Sequence, residues 1–187
     1  MIGSGDLRRG TTVEVDGTLY QVVEAHHVKT KKSAVYRVKM RDMRAGHQIE
    51  RTFNAGEKLT AARVERRAMQ YLYSDGDALT FMNTETYDQI DVPRAIVDDQ
   101  LPYLKENDVV QVLTYGEEAL GVELPAAVTL LITEAEPGVK GDTATGATKQ
   151  ATLETGLVVD VPLFINRGDT IKVSTSGGGY LERTATA

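Results

Sequence analysis

Residues 11–23 read TTVEVDGTLYQVV, two runs of β-branched and aromatic residues on either side of an Asp-Gly pair. Glycine tolerates the positive φ angles of a tight turn, so this stretch predicts two antiparallel strands in a hairpin. Apolar and polar residues also alternate in residues 34–40, and residues 48–53 follow a further turn at Ala45-Gly46. The first third of the chain is therefore predicted to be a small β domain.

The rest of the chain repeats this pattern of short strands and turns. A short helix is expected near residues 93–100, and residues 138–156, rich in Gly and Thr, are expected to be a long loop. Regularly spaced short strands with turn signals between them favour β-barrels. Further strands are predicted at residues 68–73, 78–82, 109–114, 119–124, 128–132, 157–163, 170–175 and 180–181.

Charge is distributed unevenly along the chain, although the net charge is only −6. Residues 1–64 hold twelve Lys and Arg against seven Asp and Glu, a net of +5, whereas residues 65–187 hold nine against twenty, a net of −11. This change and the spacing of the strands predict three domains, at residues 1–64, 65–127 and 128–187. The basic end is expected to face a polyanion, while the acidic remainder limits indiscriminate phosphate binding.

The composition excludes several classes of protein. There is no cysteine, so disulfides, thiolate catalysis and cysteine-ligated metals are excluded, and a cytoplasmic location is expected. Residues 1–10 lack the apolar stretch of a signal peptide, and the sequence has no run of about 18 apolar residues that could span a membrane. Neither a catalytic pair of acids nor a catalytic motif is found, so no enzymatic activity and no cofactor are expected.

The most informative local feature is a basic segment between two predicted strands. Residues 26–33, HHVKTKKS, are expected to form an insertion with Lys31 and Lys32 near the tip of a hairpin loop. Residues 26–44 carry seven Lys and Arg against one acid, Asp42. Such a finger could reach phosphates in folded RNA, which give sequence-independent, salt-dependent affinity. The alternative is a solvated edge strand that uses lysine to prevent aggregation.

Two other motifs point to chemistry less strongly. His26 and His27 are adjacent, so on a strand they would face opposite sides and could not easily share a metal ion. Residues 141–146, GDTATG, have the glycine spacing of a phosphate loop, but Ala147 stands where that motif needs lysine. A structural or RNA-contacting role is expected for the histidines, and an RNA-contacting role for the loop.

A more specific signal is residues 149–168, KQATLETGLVVDVPLFINRG, which resemble the signature stretch of the elongation factor P family almost throughout. The resemblance implies three β-barrels in tandem, an N-terminal SH3-like domain of KOW type followed by two OB-folds, with a tRNA-like overall shape. Shorter stretches similar to the same family are found along the whole chain, at residues 6–10, 51–58, 70–76, 136–146 and 168–173.

This resemblance implies a bacterial translation factor that binds the 70S ribosome between the P and E sites. Its partners would be ribosomal RNA and peptidyl-tRNA, and it would be a monomer that needs neither a cofactor nor a membrane. It would relieve stalling at consecutive prolines, whose rings restrict the backbone, by holding the end of the peptidyl-tRNA in a productive geometry. The chemical step would belong to ribosomal RNA.

The resemblance also implies roles for particular residues. The finger would reach toward the peptidyl-transferase centre, residues 141–149 would lie near the E-site codon, and two C-terminal residues would meet the tRNA elbow. The contacts implied for tRNA and ribosomal RNA are Lys29, Thr30, Ser33, Arg37, Lys39, Arg41 and, at the elbow, Tyr180 and Arg183. The contacts implied near the E-site codon are Gly141, Asp142, Thr143, Thr145, Gly146 and Lys149.

The tip of the finger departs from the family. A frequent tip in the family is Lys-Pro-Gly-Lys-Gly, whereas residues 29–33 read KTKKS and the loop is one residue shorter, which changes its turn. Lys31 and Lys32 are both candidates for the functional tip, with or without the action of a lysine-modifying enzyme. Arginine-directed glycosylation is excluded at these positions.

Three other functions stay open on the sequence alone. The altered finger allows a paralogous factor with a different preference among stalling motifs. A general OB-fold binder of single strands would rely on aromatic stacking, which the 6% aromatic content disfavours. An enzyme would need an acid pair that the sequence does not offer.

Overall fold

The computed structural model describes residues 1–138 and 146–187, and their strands fall into three sheets. Met1–Arg66 together with Leu113–Leu120 form one compact unit, and Arg67–Val112 together with Gly121–Ala187 form the other. The expected all-β class is confirmed. The domain boundaries near residues 64 and 127 stay predictions. No helix in the described parts has the length and hydrophobicity needed to cross a bilayer.

The first sheet has six strands in the order β1-β6-β2-β3-β4-β5. The predicted hairpin is present, and Asp16 and Gly17 both have positive φ angles, 52° and 77°, as its two-residue turn requires. Alternate side chains of the strands build a core that includes Val22, Met40 and Phe53. The strands are β1 Ile2–Gly3, β2 Thr12–Val15, β3 Thr18–Lys29, β4 Ala34–Asp42, β5 Gln48–Asn54 and β6 Lys58–Ala61.

The second sheet has five strands in the order β11-β10-β7-β8-β9. Its core side chains include Leu79, Phe81 and Val92, none of which has any exposed surface. The expected helix is present but spans only Arg94–Val97 (α1). The strands are β7 Glu65–Asp75, β8 Ala78–Asn83, β9 Gln89–Pro93, β10 Val109–Tyr115 and β11 Glu118–Glu123.

Residues 113–120, which end β10 and begin β11, are grouped with the first sheet in one compact unit. Leu120 packs in one buried cluster with Leu19 and Ala62, and Met43 and Tyr115 pack against it. The carboxylate of Glu118 accepts two hydrogen bonds from the guanidinium of Arg44, at 2.9 and 3.0 Å. This apolar contact and the exposed ion pair explain why residues 113–120 fall in the first compact unit.

The third sheet has five strands in the order β14-β13-β12-β15-β16. Its core includes Leu130, Ile132, Leu153, Ile165 and Ile171, each no more than 1% exposed. The strands are β12 Ala127–Ala135, β13 Thr148–Leu153, β14 Val158–Pro162, β15 Thr170–Ser174 and β16 Tyr180–Ala185.

The prediction of one long loop over residues 138–156 is wrong for its second half. Thr148–Leu153 form β13, whose side chains at 149, 151 and 153 are buried while Thr148 and Gln150 are exposed. Threonine favours strands, and this alternation is the period-two pattern of a strand with one buried face. The high content of glycine and threonine therefore led to a loop prediction for a strand that pairs with β12 and β14.

A buried carboxylate stabilises the third sheet. Asp169 is 3% exposed, and its two oxygens accept hydrogen bonds from the backbone N–H groups of Asn166 and Ala187, both at 2.9 Å. These hydrogen bonds, from Asn166 first and then from Ala187, lower the pKa of Asp169 although burial acts in the opposite direction. Arg183 adds a weaker attraction, with its Nη1 3.8 Å from Oδ2 of Asp169.

We predict that Leu120→Ala destabilises the first unit by about 2–4 kcal/mol, because it removes buried methyl groups and leaves a cavity. Urea denaturation of the whole chain measures the change, and hydrogen exchange should show lost protection around Leu19 in β3 and Ala62 after β6, which pack with Leu120. Val109→Ala is the control, since Val109 is 55% exposed and its truncation should cost less than about 0.5 kcal/mol. Equal stability of the two variants would contradict the packing of Leu120.

We also predict that Asp169→Asn costs about 1–3 kcal/mol at neutral pH, because one of the two backbone N–H groups that bind the carboxylate loses a charged acceptor. A pKa that is lower in the folded than in the unfolded state gives stability that is present above the unfolded pKa and lost as the pH falls through the folded one. The variant should therefore lose less stability than the parent between about pH 5 and pH 2. Urea denaturation across this range measures the difference, with Asp160→Asn, an exposed residue, as control. Identical acid profiles of parent and Asp169→Asn would contradict the assignment.

Candidate nucleic-acid interface

The basic segment is a continuous hairpin rather than an insertion between strands. β3 and β4 pair from Tyr20 opposite Asp42 to Lys29 opposite Ala34, with one irregularity between Val22 and Glu24. The strand β3 therefore includes His26–Lys29, which were expected to lie in the insertion. Only residues 30–33 connect the two strands. We call the outer half of this hairpin, residues 26–37, the finger.

Hydrogen bonds close the tip of the finger. The N–H of Thr30 donates to the carbonyl of Ser33 at 2.8 Å, and the hydroxyl of Thr30 donates to the same carbonyl at 2.8 Å. The N–H of Ser33 donates back to the hydroxyl of Thr30 at 3.1 Å. Thr30 and Ser33, predicted as RNA contacts, thus hold each other. The hydroxyl of Thr30 and the backbone of Ser33 supply the closure that the shorter tip cannot take from a proline and a glycine.

Lys31 and Lys32 lie between these two residues, and both are exposed. Lys29 is also exposed, on the last residue of β3. Within residues 1–138 and 146–187, no carboxylate forms an ion pair with any of these three lysines. The tip of the finger therefore carries three positive charges that the described protein does not neutralise.

The other predicted cations of the hairpin are in a different environment. Nε of Arg37 lies 3.6 Å from Glu50, and Nζ of Lys39 lies 3.3 Å from Glu24. The hydrogen bond from Lys39 is the main reason why the pKa of Glu24 is lowered. Arg41 donates from Nε to the carbonyl of Gly46 at 3.2 Å. An RNA phosphate would have to compete with these partners.

The two histidines point to opposite faces of the hairpin, as their adjacency predicted. His26 lies on the charged face, 3.8 Å from a carboxylate oxygen of Glu24. His27 lies on the other face, where its ring stacks on Tyr36. In the described parts of the chain no group of three or more potential ligand residues could hold a metal ion.

The second predicted region falls largely outside the described residues. Four of the predicted contacts lie outside the described residues: Gly141, Asp142, Thr143 and Thr145. The structure describes the other two, Gly146 and Lys149. Gly146 is exposed with a φ of 89°. Lys149 was expected on the same loop, but it lies in β13 and is only 7% exposed. It is buried on the same face of β13 as Ala151 and Leu153, so it faces the interior of the third sheet, where its positive charge contributes to the lowered pKa of Asp169.

The two predicted C-terminal contacts both lie on β16. Tyr180 begins the strand and is half-buried against the core of the third sheet. The guanidinium of Arg183 lies over the ring of Phe164, 5.0 Å from its centroid, and 3.8 Å from the carboxylate of Asp169. Phe164, which is 55% exposed, therefore shares a surface with Arg183.

Sequence reasoning missed Tyr36 as part of the candidate site. A signal for it was present: if residues 30–33 are the loop, position 27 must pair with position 36, and directly paired side chains of a strand pair share a face. The pairing of His27 with Tyr36 in the structure follows this rule.

Three family models match successive parts of the chain: the elongation factor P KOW-like domain at residues 4–59, the elongation factor P OB domain at residues 64–122, and the elongation factor P C-terminal domain at residues 128–183. Elongation factor P of Moorella thermoacetica is 54% identical over 98% of this chain and 100% of its own length. The corresponding protein of Pelotomaculum thermopropionicum is 52% identical with the same coverage. The KOW-like and OB domains expected from the sequence are thereby confirmed.

Two solved structures share the fold over part of the chain. Translation initiation factor 5A from Methanococcus jannaschii has a TM-score of 0.54 and 22% identity, and the match covers 65% of this chain and 94% of that one. A translation initiation factor 5A family protein from Naegleria fowleri has a TM-score of 0.50 and 17% identity, covering 66% and 94%. With relatives above 50% identity over almost the full length, the chain belongs to the elongation factor P family of translation elongation factors.

Proposed function

We propose that this chain binds the 70S ribosome between the P and E sites and positions peptidyl-tRNA for peptide-bond formation. Its main targets are stalls at consecutive prolines, where the ring of the nascent proline restricts the backbone. Holding the reacting end of the tRNA in place lowers the entropic part of the barrier without any chemistry by the factor. Membership of the elongation factor P family supports this proposal.

The observation that carries the proposal is the stiff, unneutralised tip of the finger. Lys31 and Lys32 lie beyond the last strand pair, between Thr30 and Ser33, whose mutual hydrogen bonds restrict the loop. A closed tip delivers charge to a fixed point at a lower entropic cost than a flexible lysine chain on an open loop. Such a tip is suited to a narrow, phosphate-lined cavity.

The ion pairs of the hairpin divide the predicted RNA contacts into cations with an acidic partner and cations without one. Lys29, Lys31 and Lys32 are available for phosphates. Arg37 and Lys39, by contrast, are partly satisfied by Glu50 and Glu24. Binding should therefore depend on salt mainly through the tip lysines, because each phosphate that a cation neutralises releases counterions. Thr30 and Ser33 act by shaping the tip, and Arg41 is a secondary contact.

The remaining proposed RNA contacts belong to the third sheet and to the segment that precedes β13. Tyr180 and Arg183 on β16 would meet the elbow of the tRNA, and Phe164 extends their surface. Residues 141–146 would lie near the E-site codon. Lys149, which is 7% exposed, supports the start of β13 in this scheme rather than binding RNA through its amine.

The proposed function has consequences for location and partners. The factor acts in the cytoplasm as a monomer, without a cofactor, and ribosomal RNA performs the chemical step. A lysine-modifying enzyme is a further proposed partner, with Lys31 or Lys32 as its target. The shorter tip, residues 29–33 KTKKS, favours a second candidate function, a factor of the same type with a different stalling-motif preference.

We predict that the double substitution Lys31→Ala/Lys32→Ala lowers relief of Pro-Pro stalling by about tenfold or more, because it removes two charged contacts of the order of 1 kcal/mol each. The measurement is the rate of Pro-Pro synthesis on purified ribosomes against factor concentration. Arg9→Ala/Lys58→Ala is the control, since it changes the net charge equally and replaces two exposed cations outside the finger. The two single variants identify which lysine matters.

Full activity of the double variant on Pro-Pro and on other stalling motifs would contradict the proposed role of the tip. Selective activity on another motif would instead favour the second candidate function. Intact-mass and tryptic mass spectrometry of the native protein completes the test. An added mass on Lys31 or Lys32 identifies a modified tip, and a bare peptide assigns the activity to the unmodified lysines.

A further inference from the structure

The finger has an aromatic face opposite its charged face. His27 and Tyr36 are directly opposite each other on β3 and β4. Their ring centroids are 4.6 Å apart, and the ring planes differ by only 12°, so the rings are stacked face to face. Neither ring is part of the buried core of the first sheet, although Tyr36 packs against it.

Tyr36 is held in place by its packing against the first sheet. It is half-buried, and its hydroxyl oxygen lies so near Gly5 that a Cβ atom at that position would be 3.2 Å away. The packed ring of Tyr36 covers one face of the His27 ring, and His27 itself is exposed. The other face of the imidazole is therefore available to a planar group that arrives from solvent.

Charge around this face favours an anionic ligand. Lys29 is two residues farther along β3, which places it on the same face about 6–7 Å nearer the tip. It is exposed, and in the described parts of the chain it has no ion pair. The paired cations Arg37 and Lys39 lie on the opposite face, because side chains alternate along a strand. One face of the finger thus combines an open ring with an available ammonium group.

We propose that His27, supported by Tyr36, is a stacking platform for one unpaired nucleobase of RNA, with Lys29 binding the adjoining phosphate. This inference rests on the proposed function and names the contact that orients the RNA. An aromatic surface accepts any base, because every base has a π-face, whereas a lysine alone fixes charge but not orientation. The platform would therefore hold a nucleotide by both its base and its phosphate, and His27 is a positioning residue.

The first test compares His27→Ala with His27→Phe in Pro-Pro synthesis on purified ribosomes. Alanine removes the ring on which a base would stack, so it should raise the half-saturating concentration of factor by about tenfold. Phenylalanine keeps a ring at this position and should stay within about twofold of the parent. Thermal unfolding of both variants checks that the first unit is intact.

The second test uses the absence of tryptophan from the chain. His27→Trp introduces a single indole at the platform, and its fluorescence should be quenched when the factor binds a ribosome that carries peptidyl-tRNA. Tyr87→Trp is the control, because Tyr87 is 71% exposed and lies in the connection between β8 and β9, outside the finger. Its emission should change by much less under the same conditions.

The outcomes separate this inference from the proposed function. If His27→Ala and His27→Phe both match the parent, while Lys31→Ala/Lys32→Ala loses activity, the stack only stiffens the finger and the platform is refuted. Unquenched emission of His27→Trp on a ribosome that it demonstrably binds would refute it as well. If the lysine double variant also retains full activity, the proposed function of the tip fails too.

Discussion

The continuous pairing of β3 with β4 is the constraint on which the rest of the candidate site depends. Where the two strands lie over the core, the pairing buries Val22 and Met40, and beyond it the same backbone ladder carries the finger outward. Because the side-chain period of a strand is two, this one register assigns every residue of the finger to a face. A slip by one residue would move the His27 ring and the charged side chains to the wrong sides.

The register also explains how one short segment separates two kinds of interaction. On the charged face, Glu24 and Glu50 accept Lys39 and Arg37, which reduces the local repulsion among cations. On the aromatic face, stacking of His27 on Tyr36 supports the finger without any charge. Among the lysines of this hairpin in the described structure, Lys39 has an acidic partner and those at the tip do not, so positive potential is concentrated where the hairpin ends.

Local signals predicted most strands correctly, because alternation and turn residues are properties of neighbouring positions. The hairpin around Asp16-Gly17 is the clearest example. The prediction failed for β13, where small and polar residues hid the alternation, and for β6 and β9, which are short strands bounded by turns. The helix near residues 93–100 was found but its length was not, since a four-residue helix has almost no periodicity to detect.

The all-β class, the basic tip with Lys31 and Lys32, and the resemblance to a family follow from the sequence alone, because they depend on residue identity and near neighbours. The pairing of particular cations, the burial of Lys149 in β13 and the packing of Leu120 with Leu19 follow only from the folded chain. Those outcomes depend on contacts between residues far apart in the chain. Strand pairing creates such contacts, and a local pattern of residues does not specify which distant residues it will contact.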